Sequence, residues 1–347
     1  MIRFESDYLE GAHPSILKAL TETNFEQTPG YGVDDYCERA RAKIAEKLGT
    51  EVAGIHFLVG GTQCNLTCCA AFLKPWQGAL CADTGHIAVH ESGAVEASGH
   101  KVLTVPHKFG KISAKQVNDY CKAHYASDTA EHTVQPGMLY ISQPTEYGTL
   151  YTLKEITALS RACKKNNLVF YVDGARLGYA LACKENDVTM ADLAAYTDAF
   201  YIGGTKVGCL FGEALVIKNK ELNNSFRYMI KQRGGMLAKG RLLGIQFDAL
   251  FTDGLYEKMG LHAMTLAEKI ANCLTSLGVS FAVPSPTNQI FPVLTDEQYA
   301  ALSEKYSFSF WEKTKDGRNV VRICTSWATK EEDADALIND LKNVLSR

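Results

Sequence analysis

Two short segments hold the side chains with the most chemistry in this 347-residue chain. In Val169-Phe170-Tyr171-Val172-Asp173-Gly174-Ala175-Arg176 an apolar run delivers a carboxylate at its end. Ligands of open α/β sheets gather beyond the carboxyl ends of the strands, so Asp173 is placed where a small molecule would lie. In Phe200-Tyr201-Ile202-Gly203-Gly204-Thr205-Lys206-Val207-Gly208 a single lysine follows a second such run, inside a glycine-rich turn. Desolvation there lowers the pKa of the amine and frees it to attack a carbonyl carbon. Each segment alone has a plainer reading: Asp173 as the cap of the following helix, Lys206 as a solvated loop charge. Together they supply what pyridoxal phosphate requires. A carboxylate keeps the pyridine nitrogen protonated, so that the ring accepts electrons, and a lysine holds the aldehyde covalently.

Three further groups fit that chemistry. Gly60-Gly61-Thr62 lies between a strand-like run and a helical one, where backbone N–H groups and a hydroxyl suit a phosphate dianion, although such a triplet also makes a simple turn. His86 and His90 stand four residues apart; His86 could stack on a flat ring or be an ordinary satisfied histidine, and no third side chain nearby completes a metal site. Arg322 sits in the apolar run Val320-Val321-Arg322-Ile323-Cys324. Burying a guanidinium requires a partner, either a structural acid or the α-carboxylate of an amino acid.

The elements that position these groups follow from periodicity. Between residues 50 and 215, apolar runs alternate with helical stretches, the pattern of an α/β fold with a mostly parallel sheet. Strands are expected at Ile55–Val59, Val102–Val105, Gly137–Ser142, Leu168–Val172 and Ala199–Ile202, with a helix over Leu153–Asn166 opened by a Thr152/Glu155 capping box. A long helix from about Gly254 to Leu277 leads into a smaller α+β part. The expected organisation is therefore a large domain over residues 1–254, with an N-terminal arm, and a small domain over 255–347. In the latter, strands are expected at Ser280–Val283, Ile290–Leu294, Phe308–Lys313 and Val320–Ser326, and helices from Asp296 to Tyr306 and from Lys330.

Composition excludes several classes. The net charge of −3 and the lack of basic clusters argue against nucleic acid and acidic membranes. The first residues lack a signal-peptide pattern, and no apolar run is long enough to span a bilayer. Eleven cysteines without a metal-ligand spacing read as small buried thiols in a reducing compartment, and a cytoplasmic location is expected. A nucleotide-binding α/β protein is the competing class, but neither G-x-G-x-x-G nor G-x-x-x-x-G-K-[ST] occurs.

Taken in order, these segments resemble the threonine aldolase and aromatic amino acid β-eliminating lyase family of fold-type I pyridoxal-phosphate enzymes, over nearly the whole chain. Phe4-Glu5-Ser6-Asp7, Tyr31-Gly32, Gly60-Gly61-Thr62, His86 with Glu91 and Gly93, Asp173-Gly174-Ala175-Arg176, Thr205-Lys206 and Arg322 with Thr325-Ser326-Trp327 carry the resemblance. It implies Lys206 as the Schiff-base residue, His86 over the ring and Asp173 on the pyridine nitrogen. It also implies cofactor contacts from Gly60, Gly61, Thr62, Arg176 and Thr205, and substrate contacts from Ser6, Tyr31, Arg176 and Arg322. The implied reaction is retro-aldol cleavage of a β-hydroxy-α-amino acid such as threonine or allo-threonine to glycine and an aldehyde, with β-elimination or transamination as alternatives. A homodimer or homotetramer is implied, with Tyr31 reaching the site of a neighbouring copy. One departure stands out: Glu146, in Pro144-Thr145-Glu146-Tyr147, occupies the place of a family histidine, so Glu146 and His86 are the candidate bases.

Overall fold

In the computed structural model, which describes residues 1–345, a two-residue strand of the N-terminal arm, β1 (Ile2–Arg3), precedes a seven-stranded sheet. That sheet comprises β2 (Gly54–Leu58), β3 (Gln77–Ala82), β4 (Val102–Val105), β5 (Gln135–Ser142), β6 (Val169–Asp173), β7 (Ala199–Gly203) and β8 (Glu213–Ile217). The spatial order is β2-β8-β7-β6-β5-β3-β4. The strands β3 to β7 run parallel to one another, while β8 is antiparallel to both β7 and β2. Burial on both faces explains their nearly continuous apolar sequences.

Alternation along the strands separates two cores. Leu139, Ile141, Phe170, Val172, Phe200 and Ile202 belong to one, and Tyr140, Tyr171 and Tyr201 to the other, beneath the helix Gly61–Phe72. The helix Leu153–Asn166 is closed by the expected Thr152/Glu155 capping box and stops at Asn167 in a left-handed conformation. The 22-residue helix Leu255–Ser276 then leads into the smaller part.

That part is built on an antiparallel sheet of β9 (Gln289–Ile290), β10 (Val293–Leu294), β12 (Ser309–Lys313) and β13 (Asn319–Cys324), with β11 (Tyr306–Ser307) pairing in parallel with β1. The arm is thus stitched to the small sheet: Phe4 shares a core with Leu266, Ile270, Ile323 and Leu337, and its carbonyl accepts from the Cys324 N–H at 2.7 Å. The chain then runs directly from Phe4 to Asp7 at the edge of the large sheet. All eleven cysteines are buried and unpaired. Among the described residues, no helix is long and apolar enough to cross a membrane.

Several expected elements differ. β3 was not anticipated because Gly78, Ala79, Cys81 and Ala82 are small residues with little strand preference. β8 was not anticipated because it opens on an acid. No strand forms over 280–283; only Phe281 bridges Pro292. The expected strand over 290–294 divides into β9 and β10 around Pro292, which has no N–H to give a ladder. The helix beginning at Asp296 ends at Ser303, so that Tyr306 is free to pair with the arm.

Candidate active site

Strands β5, β6 and β7 end at the same edge of the sheet, and each carries a tyrosine two residues before its last position: Tyr140 before Ser142, Tyr171 before Asp173, Tyr201 before Gly203. The two-residue period of a strand puts each tyrosine on the face of its terminal residue. The hydroxyls of Tyr140 (2.7 Å) and Tyr201 donate to the two oxygens of Asp173. Asn65, from the helix Gly61–Phe72, donates through Nδ2 to Asp173 at 3.1 Å and to Glu91 at 2.6 Å, while its own oxygen accepts from Tyr171 at 3.0 Å. The Ala175 N–H closes the set at 3.0 Å. Burial alone would raise the pKa of Asp173, but the charge of His86 and these hydrogen bonds outweigh it and hold the carboxyl below its usual value. Asp173 is thus a fixed, buried anion.

His86 lies beside it at the start of a short helix, with Nδ1 2.7 Å from Glu91 Oε1. Burial disfavours its charged form, yet the Glu91 hydrogen bond and the charges of Asp173 and Glu91 raise its pKa overall. Glu146 accepts from the His86 backbone N–H at 2.9 Å and from the Ser142 hydroxyl at 2.7 Å, and burial pushes its carboxyl up.

Lys206 sits in the loop between β7 and β8. The Thr205 N–H and Gly204 N–H both donate to Gly212 O, and the Lys206 carbonyl accepts from Tyr179 Oη. Its amine makes no hydrogen bond or ion pair among the described residues; the ring of Tyr8 lies 5.7 Å away. Burial, followed by the charge of Arg176, draws the amine below its ordinary pKa against the opposing carboxylates of Asp7, Asp173 and Glu213.

These groups share one cavity of about 760 Å³. Gly60, Gly61, Thr62, His86, Asp173, Arg176, Thr205 and Lys206 all line it, as do Glu146 and Arg322. Gly60 and Gly61 begin the helix that runs from Gly61 to Phe72, so free N–H groups face the opening. A Cβ on Gly60 would meet nothing within 4 Å, leaving a cradle beside the helix start, whereas one on Gly61 would come within 2.7 Å of the Tyr201 hydroxyl. An N–H cradle, an unpaired amine and a buried anion opening on one cavity fit the phosphate, aldehyde and ring nitrogen of pyridoxal phosphate.

The two arginines are held differently. Arg176 grips Asp7 through Nε at 2.6 Å and Nη2 at 3.0 Å, and Asp7 also accepts from Asn288 at 2.9 Å. Burial opposes the charge on Asp7, but Arg176, Lys206 and these hydrogen bonds hold its pKa down at about 2. Arg322 has no acid within ion-pair distance among the described residues. Its hydrogen-bond partners are Gln289 Oε1 (3.2 Å), Glu5 O (3.1 Å) and Ser309 Oγ (3.3 Å), the Trp311 ring centroid lies 5.5 Å from its guanidinium, and its Nε is buried without an acceptor. Ser6 is buried next to this region, its hydroxyl also unpartnered, but it does not line the cavity. Tyr31 is not brought to the site either. It lies in a separate surface cleft with Arg227 and Met236, half exposed, with Lys231 4.8 Å from its ring.

Asn65, Tyr140, Tyr201, Asp7 and Glu213 were not assigned roles from the sequence. The repeated placement of tyrosine before the ends of three strands could have revealed two of them.

Five parallel strands flanked by helices, with a lysine and an aspartate at one edge and a small antiparallel sheet alongside, define a fold-type I pyridoxal-phosphate enzyme. Aspartate aminotransferase from Thermus thermophilus shares this fold, with a TM-score of 0.71 at 16% identity over 99% of this chain and 91% of that one. A family model described as beta-eliminating lyase matches residues 4–297, and the chain belongs to that family of pyridoxal-phosphate-dependent lyases. Leishmania major threonine aldolase superposes with a TM-score of 0.96 at 42% identity, covering 99% of this chain and 100% of that one. A low specificity L-threonine aldolase from Pseudomonas sp. is 29% identical over 99% of this chain and 98% of its own length.

Proposed function

We propose that this chain is an aldolase that cleaves a β-hydroxy-α-amino acid to glycine and an aldehyde, using pyridoxal phosphate anchored on Lys206. Gly60, Gly61, Thr62 and Thr205 hold the phosphate, His86 covers the ring, and Asp173 faces the ring nitrogen. When bound there, the cofactor supplies an electron sink for the pair left at Cα when the Cα–Cβ bond breaks. The observation that carries the reading is that Lys206, Asp173 and the start of the helix Gly61–Phe72 open onto a cavity whose lining also includes an arginine without a carboxylate.

Arg322 binds the substrate α-carboxylate; a guanidinium with an unanswered buried N–H is matched by such an anion. Arg176 borders the same space with its orientation fixed by Asp7. Glu146 takes the proton of the β-hydroxyl: its Oε1 is fixed by the His86 N–H and Ser142, and its raised pKa brings it nearer neutrality, where a general base works best. His86, held over the ring by Glu91, steers rather than accepts that proton. The active form is an assembly of two or four copies in which Tyr31 serves a neighbouring site, and buried, unpaired cysteines suit the reducing cytoplasm.

Incubating the cofactor-loaded protein with threonine, allo-threonine, phenylserine and serine tests the reading by product. Glycine with stoichiometric aldehyde from the hydroxy amino acids is expected. An oxo acid and ammonia, or no product from any of the four, would overturn it.

A further inference from the structure

Glu213 is the least expected charge in the large sheet. It is the first residue of β8, a strand buried along its whole length, and is itself only 3% exposed. Buried carboxylates are ordinarily matched by a cation or by several donors. Glu213 has no cation within 4.0 Å among the described residues and few donors: Oε2 accepts from the Gly204 N–H at 3.1 Å, and the Thr205 hydroxyl also bonds to the carboxylate. The side chain does, however, line the cavity that holds Lys206.

Topology explains how it comes there. In the antiparallel pairing of β7 and β8, Gly203 stands opposite Glu213, so the segment between them is a closed loop with Lys206 on it and Glu213 at its base. The loop is tied by Gly204 and Thr205 N–H bonds to Gly212 O, by Gly212 N–H to Thr205 Oγ1, and by Gly204 N–H to Glu213 itself. The carboxylate thereby helps fix the turn that presents the lysine.

Resting on the assignment of Lys206 as cofactor anchor, we propose that Glu213 is a positioning residue and through-space counter-charge for that lysine, set at the base of its loop. A carboxylate at the base of the loop stabilises positive charge on the lysine nitrogen, and the same field favours the protonated form of any linkage that nitrogen makes. The directions of the two titrations agree. Burial raises the Glu213 carboxyl and lowers the Lys206 amine, which draws the two proton affinities together. The other titratable groups facing Glu213 are Asp173 from β6, Tyr201 from β7, Cys64 from the overlying helix, Cys209 from the loop and Tyr256 from the helix Leu255–Ser276. Burial pushes both thiols and both phenols up, so all four stay neutral. Asp7 and Asp173, the other carboxylates that face Lys206, are held ionised by their own donors, which leaves Glu213 as the one of the three that burial pushes up.

The test is a spectrophotometric pH titration of the cofactor-loaded protein, following the visible band of the Lys206–cofactor linkage in wild type and in Glu213→Gln, Glu213→Met and Glu213→Asp. Removing the charge should lower the pH midpoint by about one unit or more in both the glutamine and methionine variants, because the protonated linkage loses its counter-charge. The aspartate variant, which keeps the charge, should stay close to wild type. Methionine leaves no polar group to desolvate, so that variant decides the matter if glutamine folds poorly. A midpoint unchanged in the two neutral variants, or displaced equally in all three, would overturn the proposal. A wild-type protein that shows no such band would overturn the assignment of Lys206 instead, and the role of Glu213 with it.

Discussion

Around Asp173 the carboxylate receives donors from four places, Tyr140, Tyr201, Asn65 and the Ala175 backbone, whereas around Arg322 the donors outnumber what the protein offers them. Arg322 Nε and Gln289 Nε2 are buried donors without acceptors. A group that stays through every turnover is served by a surrounding that is complete before it arrives. A ligand that comes and goes needs partners left open, at a cost to the empty protein of roughly 1–3 kcal/mol for each unanswered polar group. The contrast teaches which end of the cavity belongs to a resident cofactor and which to an exchangeable substrate. Arg176 falls on the resident side of that division, because Asp7 already occupies its fork.

The contrast breaks first at Arg176. Replacing it with alanine leaves Asp7 buried beside Asn288 without its main counter-charge, and removing one partner of such a pair typically costs about 3–5 kcal/mol. A large fall in melting temperature is expected even without ligand. The pH dependence sharpens the point. Asp7 has a folded pKa of about 2 against its usual 3.8, so the stability it contributes is complete above the higher value and is lost as pH falls through the lower. Melting curves from neutral pH down to strong acid should show that loss in wild type and not in Asp7→Asn. An Arg176→Ala protein as stable as wild type would place Arg176 on the substrate side instead.

Asp173→Asn should be milder. The side chain still accepts hydrogen bonds, so the fold and some cofactor binding persist, but a charge-assisted bond worth roughly 1.5–3 kcal/mol is lost and turnover should fall by about one to two decades. Steady-state rates at saturating cofactor check this; full activity would reduce Asp173 to a structural residue. Smallest is Arg322→Lys, in which an ammonium cannot reproduce the planar fork. An increase in substrate KM of about tenfold is expected, with the ligand-free melting temperature unmoved, since no buried acid depends on Arg322. A lower melting temperature with unchanged KM would show the arginine to be structural.

Much of this was legible in the sequence because it rests on local pattern. The strand ending in Asp173, the loop carrying Lys206 and the helix start at Gly61 are each continuous in the chain. What was not legible depends on register and on distant contacts. The tyrosine cage arises only when β5, β6 and β7 align side by side with Ser142 opposite Asp173, although a tyrosine two residues before each strand end was visible. The clasp of Arg176 by Asp7 depends on the arm being carried to the site by pairing of β1 with β11, and nothing in Ile2-Arg3 announces that partner. In the sequence Glu213 reads as a loop charge, and only the antiparallel return of β8 sets it opposite Gly203 at the base of the loop that carries Lys206.

The central claim is that Lys206 is the residue that takes the cofactor, and it is tested most directly by reducing the pyridoxal-phosphate-loaded protein with borohydride and mapping the modified peptide. The pyridoxyl label should fall on Lys206 alone and be absent from Lys206→Ala. A label on Lys231 or Lys239, or equal labelling of the alanine variant, would contradict the account.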